Sequence, residues 1–228
     1  MSNEYKDWLA DTMVEDAFTF ASLAHKNQTR KYTNEPYIEH PKLVSRIIND
    51  YMRSCDDIPL FAFDPLDYSV LISAALLHDT VEDTGTTYEQ IQKLSGKSVC
   101  DLVYWVTDEL TPKDGNRKFR KQKYLEKILQ APYDAKCLKV ADILANIRNL
   151  AQVVPDNDLD FAIKYVGEKE DLVNALKQLK ERKKSDKRYY WYKIFSKMLT
   201  DLEIELKETR ERLERRNEVK WNKEKRFL

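Results

Sequence analysis

The chain has 228 residues, and its 39 lysines and arginines are balanced by 39 aspartates and glutamates. A formal net charge of zero gives no electrostatic reason to bind nucleic acid or an anionic membrane, so we expect a small-molecule partner. Four glycines and seven prolines leave little turn chemistry for a sheet-rich fold, and the composition predicts an all-α protein.

The three cysteines, Cys55, Cys100 and Cys137, are odd in number and widely spaced. This pattern argues against a disulfide framework and against a thiolate zinc site. The N-terminus lacks a basic stretch followed by an apolar one, as a signal sequence would have, and no apolar run approaches the roughly 18 residues of a membrane span. We therefore expect a cytoplasmic protein that does not enter a membrane.

The first predicted element is an amphipathic helix from Trp8 to His25, which is followed by a polar loop through Glu35. In this loop Arg30, Lys31 and Tyr32 are consecutive. A guanidinium group, an ammonium group and an aromatic ring can together hold a phosphate and a flat base. The other interpretation, a solvated charged loop, stays open from these residues alone.

The next segments place histidines at helix ends. Pro41 suits the first turn of a helix, so His40 is fixed at a helix entry. An apolar helix from about Asp67 ends at His78, which is followed directly by Asp79. A second acidic pair, Glu82 and Asp83, comes one helical turn later. Taken alone, this stretch is equally a helix that stops with its acids in solvent.

Two further features follow in the middle of the chain. Thr87 and Gln90 match a capping box that opens a short helix, which Ser95-Gly96 should end. Residues Lys113 to Arg120 are strongly basic, and this run is either a solvated face or an attractor of phosphate near a cleft.

A helix from Ala135 to Leu150 is apolar on one side but carries Asp142 among the apolar positions. A carboxylate there is costly unless it is paired or bound to a metal. Asn146 lies one turn along on the same face, while Arg148 is either salt-bridged at the surface or turned to the cleft.

Beyond Pro155 the composition changes. A charge-dense run from Lys177 to Arg188 precedes a long amphipathic helix that starts at Tyr189. The apolar stripe of this helix permits a homo-oligomer without requiring one, and its members are Trp191, Phe195, Met198, Leu202, Leu206 and Leu213.

Two histidines and two aspartates, His40, His78, Asp79 and Asp142, make a plausible set of metal ligands. Nitrogen and oxygen donors without thiolate suit manganese, iron or zinc, and leave positions for water and substrate oxygens. Such an ion polarises a phosphoryl oxygen and lowers the pKa of water. Glu82 and Asp83 are then candidates for proton transfer.

Three runs of sequence together resemble the HD-type hydrolase domain of the RelA/SpoT family, in particular its small alarmone hydrolases and metazoan SpoT homologues. The runs are Arg30-Lys31 through Glu35-Pro36-Tyr37-Ile38-Glu39-His40-Pro41, then Ala74 through Thr84, then Lys139-Val140-Ala141-Asp142 with Asn146 and Arg148. They occur in the family's order, and their combination is more specific than any one of them.

The resemblance implies an HD-domain helical bundle with a long C-terminal helix, a single domain with its core at about 8–152 and a charged extension at about 156–228. It also implies manganese-dependent hydrolysis of the 3′-pyrophosphate of (p)ppGpp to GDP or GTP and pyrophosphate, with another divalent transition metal as an alternative. The implied metal ligands are His40, His78, Asp79 and Asp142, the catalytic pair is Glu82 and Asp83, and the substrate-binding set is Arg30, Lys31, Tyr32, Asn146 and Arg148.

Two positions depart from the family pattern. Ile143 stands where relatives usually carry a basic residue, and Ala145 replaces a usual histidine or tyrosine. Both changes affect the shape of the pocket and leave open an adenine alarmone or the phosphate of NADPH as substrate. A separate alternative is a partner-binding role, such as that of an antitoxin acting through the charged C-terminal helix.

Overall fold

The computed structural model describes residues 3–54, 63–179 and 188–225, and these residues form nine α-helices and two short 3₁₀ turns. Within them no strand occurs beyond one isolated bridge between Thr29 and Pro36. The all-α prediction is confirmed. The helices are α1 (Asn3–Ala24), α2 (Glu39–Ser54), α3 (Pro65–Leu77), α4 (Thr80–Asp83), α5 (Tyr88–Val106), α6 (Arg117–Gln130), α7 (Tyr133–Val153), α8 (Leu159–Leu176) and α9 (Tyr189–Glu224).

Helices α3 and α7 lie at the centre of the bundle. Helix α3 is packed against α1, α2 and α5, while α7 is packed against α2, α5 and α9. Both central helices bury small and branched apolar side chains, among them Ala74, Ala75, Leu77, Ala141 and Leu144. Alanine on facing surfaces lets helix axes approach closely, so the polar end of α3 and a polar group in the middle of α7 are brought together inside the core.

Local sequence signals fix the helix ends. The Asp64 carboxylate accepts a hydrogen bond from Leu66 N (3.0 Å) and caps α3. The predicted capping box of Thr87 and Gln90 is present at the start of α5. Gly96 has φ of 83°, a left-handed conformation that glycine adopts at little cost, but the chain resumes helical geometry at once. The predicted stop is therefore a kink inside α5.

Helix α9 has 36 residues and closes the bundle over α7 and α8. Its predicted stripe is confirmed, because Phe195, Met198, Leu202, Leu206 and Leu213 are all buried. Ion pairs flank this stripe: Arg148 of α7 with Glu205, and Arg210 with Glu170 of α8. Burial of the apolar stripe contributes most of the free energy that holds α9 in place, and the partly exposed ion pairs contribute less.

Two sequence predictions lie wholly or mostly outside the described residues. Cys55 and residues 180–187 of the charged run lie outside the described residues, while Cys100 and Cys137 are buried thiols. The boundaries of the core and the extension stay a prediction. None of the helices in the described ranges is long and apolar enough to cross a lipid bilayer.

Helix α9 offers a matched test of the packing. We expect Leu202→Ala to lower the free energy of unfolding by about 2–5 kcal/mol, because the fully buried leucine leaves a cavity between α9 and α7. Ile204→Ala, on the exposed side of the same helix, should stay within about 0.5 kcal/mol of the wild type. Urea unfolding followed by circular dichroism measures both, and equal losses would contradict the described orientation of α9.

Candidate metal centre

Three separate parts of the chain deliver four polar side chains to one point in the core. His40 lies in the first turn of α2, and His78 and Asp79 lie in the link between α3 and α4. Asp142 lies in the middle of α7. His40, His78 and Asp142 are buried, which is unusual for such groups unless each has a partner.

The distances show that these side chains converge. His40 Nε2 lies 3.2 Å from Asp142 Oδ1 and 3.4 Å from Asp79 Oδ2. His78 Nε2 lies 3.1 Å from Asp79 Oδ1 and 3.8 Å from Asp142 Oδ1. Donor atoms of His40, His78 and Asp79 all lie within 4.8 Å of one another, as in a site that can hold a metal ion. The structure thus brings together the four residues that the sequence singles out.

The ring nitrogens of His78 are arranged as in a metal-binding histidine. Nδ1 of His78 lies 2.8 Å from the carbonyl oxygen of Ala75, and a proton on Nδ1 makes this contact a hydrogen bond. Nε2 is then the lone-pair nitrogen, and it is buried without any hydrogen bond of good geometry. A buried nitrogen aimed at two carboxylates, with its tautomer fixed from behind, is typical of a metal-binding histidine.

Both carboxylates are held from behind, by Tyr37 and Lys139, which the sequence did not assign to the site, and by Asn146, which it placed in the substrate-binding set. The Tyr37 hydroxyl donates to Asp79 Oδ2 (2.7 Å). Lys139 Nζ donates to Asp142 Oδ2 (2.8 Å), and Asn146 Nδ2 donates to Asp142 Oδ1 (2.7 Å). Such supporting hydrogen bonds orient metal-binding carboxylates.

The electrostatics of the cluster reflect this crowding. Burial raises the pKa of the Asp142 carboxyl, but the Lys139 ammonium and the two imidazoles outweigh it and hold that pKa well below its usual range. Burial likewise opposes the charged form of His78, yet the carboxylates of Asp79 and Asp142 raise its pKa to about 10, because they favour a positive charge at Nε2, whether a proton or a metal ion. The carboxylates thus stabilise positive charge at the point where the four side chains meet.

The predicted catalytic pair lies beside the cluster on α4. Glu82 Oε2 accepts a hydrogen bond from the backbone N–H of Asp108 (3.2 Å). The main-chain carbonyl of Asp83 accepts one from Gln28 Nε2 (2.6 Å), which anchors α4 to the loop after α1. Desolvation by the surrounding protein and the nearby Asp79 carboxylate raise the pKa of both Glu82 and Asp83, although each side chain reaches solvent.

A cavity of about 320 Å³ opens next to the cluster, and we call it the aromatic cavity. Tyr37 and Asn146 line it, and the same two side chains hold Asp79 and Asp142. The cavity and the cluster therefore share a wall. Its other walls include the predicted residues Arg30, Lys31 and Tyr32, with Asn149, Phe161 and Tyr165 in addition.

The basic loop is tied to the far side of this cavity. With its amide oxygen turned towards Arg30, Asn149 accepts hydrogen bonds from Arg30 Nε (3.1 Å) and Nη2 (2.6 Å). Lys31 Nζ and the Tyr32 hydroxyl both donate to Asp158 Oδ2 at 2.9 Å. These contacts fix the loop as part of the cavity.

Arg148 is a correction to the predicted substrate-binding set. Its guanidinium group donates to the carboxylate of Glu205 on α9, with Nε 3.0 Å from both oxygens. It is not among the residues that line the aromatic cavity. The surface salt bridge, one of the two interpretations open from the sequence, is the one that the structure contains.

Comparison with known proteins identifies the family. A model of the HD domain family matches residues 17–165, which include all four residues of the cluster and the pair on α4. The chain belongs to the HD-domain family. HD domains depend on a divalent metal, and the histidine and aspartate cluster of this HD domain can bind one.

Several curated proteins are similar over the same region. The guanosine-3′,5′-bis(diphosphate) 3′-pyrophosphohydrolase MESH1 of Xenopus tropicalis is 37% identical over 146 residues, 63% of this chain and 73% of that protein. The Mus musculus MESH1 is 35% identical over 184 residues, 74% of this chain and 93% of that protein. The bifunctional (p)ppGpp synthase/hydrolase SpoT of Escherichia coli (strain K12) is 35% identical over 147 residues, which are 63% of this chain and only 19% of SpoT.

A solved structure is similar in fold. It is described as a metazoan orthologue of SpoT that hydrolyses ppGpp and plays a role in starvation responses. The TM-score is 0.60 at 28% identity, and the match covers 81% of this chain and 94% of that chain. The helical arrangement of this HD domain is therefore shared with a solved member of the group.

Metal binding can be tested without any assay of activity. Saturation with Mn²⁺ at about 100 times the dissociation constant should stabilise the wild type by about 2.7 kcal/mol, because the ion binds only the folded cluster. Asp79→Asn should lose most of this stabilisation. Thermal unfolding with and without Mn²⁺, and again after EDTA, measures the effect.

The matched control is Asp101→Asn, which removes an exposed carboxylate that pairs with Lys97 on α5. It should respond to Mn²⁺ as the wild type does. An undiminished response in Asp79→Asn would place the ion elsewhere.

Proposed function

We propose that this HD domain is a metal-dependent hydrolase that removes the 3′-pyrophosphate from (p)ppGpp-type nucleotides, giving GDP or GTP and pyrophosphate. The observation that carries the proposal is the wall shared by the cluster and the aromatic cavity, where Tyr37 and Asn146 each contact both. A nucleotide in the cavity has its phosphates beside the metal ligands. The names of the related MESH1 and SpoT proteins point to the same reaction.

His40, His78, Asp79 and Asp142 are the residues that would hold the ion, which we propose to be Mn²⁺. Two imidazole nitrogens and two carboxylates without thiolate suit manganese, and other divalent transition metals bind the same donors. When bound, the ion polarises the phosphoryl group and makes water more acidic. Lys139 and Asn146 keep Asp142 in place for this role.

The nucleoside is positioned by the loop after α1 and by α7. Two hydrogen bonds to Asn149 hold the guanidinium group of Arg30 in the cavity wall, where it would stack on a purine. Lys31 and Tyr32 place a cation and a ring at the cavity rim. Asn146 reaches from the cavity wall towards Asp142, which suits a contact with the ribose next to the reacting phosphate.

The chemical step is an in-line attack of water on the phosphorus attached to the nucleoside 3′-oxygen. The new bond joins the water oxygen to phosphorus, and the bond from phosphorus to the 3′-oxygen breaks with its electron pair on that oxygen. Glu82 or Asp83 accepts the proton of the water, and the raised pKa of both carboxyls makes them better bases than ordinary acids. The 3′-oxygen is protonated from solvent as it leaves.

Four further points belong to this proposal. We place the protein in the cytoplasm, where purine nucleotides are available, and we assign it no nucleic-acid partner. The exposed side of α9 permits self-association, and a homo-oligomer remains a proposal. The substrate panel described next compares guanine with adenine, since the cavity is lined by a guanidinium group and rings that stack on either base.

Turnover is measured by pyrophosphate release with Mn²⁺ and a panel of ppGpp, pppGpp, ppApp and NADPH. We expect release of pyrophosphate from ppGpp by the wild type and by Asp101→Asn, and none from Asp79→Ala, since that change removes one metal ligand and the acceptor of the Tyr37 hydrogen bond. Phosphate release from NADPH alone would replace the proposal with its alternative. Undiminished activity in a folded Asp79→Ala protein would refute the assignment of the metal site.

The acid pair is tested separately. Of the variants Glu82→Gln and Asp83→Asn, the one that removes the base should lower kcat by about 10²–10⁴-fold, with little change in KM or in the Mn²⁺-induced stabilisation. The other variant of the pair should lose less. Loss of Mn²⁺ binding in either variant would make that residue a metal ligand and not a base.

A further inference from the structure

One buried titratable side chain, His25, has no part in the proposed mechanism. It lies directly after α1 and is only 2% exposed. Its Nδ1 lies 2.6 Å from Oε1 of Gln28, and its Nε2 is buried without a hydrogen-bond partner among the described residues. An unpaired buried nitrogen costs free energy that an apolar ring in the same space would not cost. Packing alone therefore does not account for a histidine at this position, and the contact with Gln28 points to a role.

The direction of this contact follows from the other end of the Gln28 amide. Nε2 of Gln28 donates to the main-chain carbonyl oxygen of Asp83 (2.6 Å), and a carbonyl oxygen can only accept. Oε1 of Gln28 is therefore the atom that faces His25, and it also can only accept. Nδ1 of His25 must then carry a proton. His25 thus donates to Gln28, and Gln28 in turn donates to Asp83.

The same group of residues reaches the other end of α4. The His25 ring lies against the Tyr37 ring, with the ring centres 4.8 Å apart, and the backbone N–H of Tyr37 donates to the carbonyl oxygen of Gln28 (2.9 Å). The Tyr37 hydroxyl donates to Asp79 Oδ2. Asp79 directly precedes α4 and Asp83 ends it. His25, Gln28 and Tyr37 therefore hold both ends of this helix, and we call them the α4 clamp.

Helix α4 depends on such contacts because it has only four residues. Isolated helices shorter than roughly 12–15 residues are marginal in water. Two backbone hydrogen bonds close α4, from Asp83 N–H to the carbonyl oxygen of Asp79 (2.9 Å) and from Thr84 N–H to that of Thr80 (3.1 Å). The position of Asp83 relative to the metal cluster is therefore set by tertiary contacts.

The two acids of α4 are supported separately. Glu82 is tied through its own carboxylate to the backbone N–H of Asp108 (3.2 Å). Asp83 is held at its main-chain carbonyl by Gln28, which lies 55 positions earlier in the chain, and this bond does not occupy the Asp83 carboxylate. The clamp can therefore fix where the Asp83 carboxylate lies without competing for it.

We propose that His25 is a positioning residue for Asp83. Its Nδ1–H fixes the amide of Gln28, and that amide holds the C-terminal end of α4, so that Asp83 stays beside the metal cluster. The inference rests on the proposed function only for the reaction in which Asp83 takes part. His25 does not line the aromatic cavity, so it acts through Gln28 and not on the nucleotide. Loss of its donor should lower kcat without weakening the binding of nucleotide or Mn²⁺.

Two variants of His25 separate the donor from the ring. His25→Phe keeps a ring against Tyr37 but cannot donate to Gln28, whereas His25→Asn loses the ring and keeps an amide N–H near the position of Nδ1. For whichever nucleotide of the substrate panel the wild type hydrolyses, His25→Phe should lower kcat about 10- to 100-fold and leave KM within about twofold. His25→Asn should restore most of kcat. An unchanged kcat in His25→Phe, or a kcat just as low in His25→Asn, would overturn the proposal.

Gln28→Glu tests the second contact of the clamp. A carboxylate of the same size still accepts from His25 but cannot donate to the carbonyl of Asp83, so it should lower kcat as His25→Phe does. Gln92→Glu, the same change on the exposed side of α5, is the control and should leave kcat unchanged. The Mn²⁺-induced stabilisation should be the same in all these variants. A smaller response would show that the clamp acts on the metal ligands instead, and would overturn the assignment to Asp83.

Amide hydrogen exchange keeps the test independent of turnover. The amides of Asp83 and Thr84, which make the two hydrogen bonds of α4, should exchange about tenfold faster in His25→Phe and in Gln28→Glu than in the wild type. The amide of Leu144, in the buried middle of α7, should be unchanged, because the bundle stays intact. Faster exchange confined to α4 supports the positioning role even if no nucleotide of the panel is hydrolysed and the proposed function fails. Equal exchange in α4 overturns that role even if ppGpp is hydrolysed.

Discussion

A carboxylate buried on the central helix is the constraint on which the rest of the structure depends. Asp142 lies on a helix whose neighbouring positions Ala141, Ile143 and Leu144 are fully buried. Each of its oxygens is engaged, one by Lys139 and one by Asn146, and the open side faces two imidazoles. A buried charge with this many partners is tolerated only in one arrangement, so it fixes the register of α7 against α2 and α3.

Helix α9 helps to position one wall of the aromatic cavity. Arg216 of α9 donates to the carbonyl of Val154 and to the carboxylate of Asp156, at the end of α7 and in the turn that follows. The same turn carries Asp158, which holds Lys31 and Tyr32. The long C-terminal helix therefore shapes the nucleotide side of the site without touching the cluster.

Periodicity and residue chemistry predict much of this structure. The 3.6-residue period and the capping box locate most helices, and the cost of a buried carboxylate identifies Asp142. At about 100° per residue, Asn149 lies on the face of Asp142, whereas Arg148 points about 120° away from it, towards α9. A helical wheel of α7 would therefore have assigned Asn149 to the cavity in place of Arg148.

Other parts of the site have no signal in one sequence. Tyr37 meets Asp79 across 42 positions, and Lys31 meets Asp158 across 127. Such contacts depend on how helices pack, and local pattern does not encode it. The kink at Gly96 is predictable only in part. The glycine indicates that the helix breaks there, but it does not indicate whether the helix resumes.

The most direct test of the whole account is a crystal structure of the Mn²⁺-loaded protein with anomalous data collected at the manganese edge. We expect one strong peak per chain, within coordination distance of His40 Nε2, His78 Nε2, Asp79 and Asp142. A manganese peak at any other position would contradict the account. So would the ammonium group of Lys139 at the point where the four side chains meet, in place of an ion.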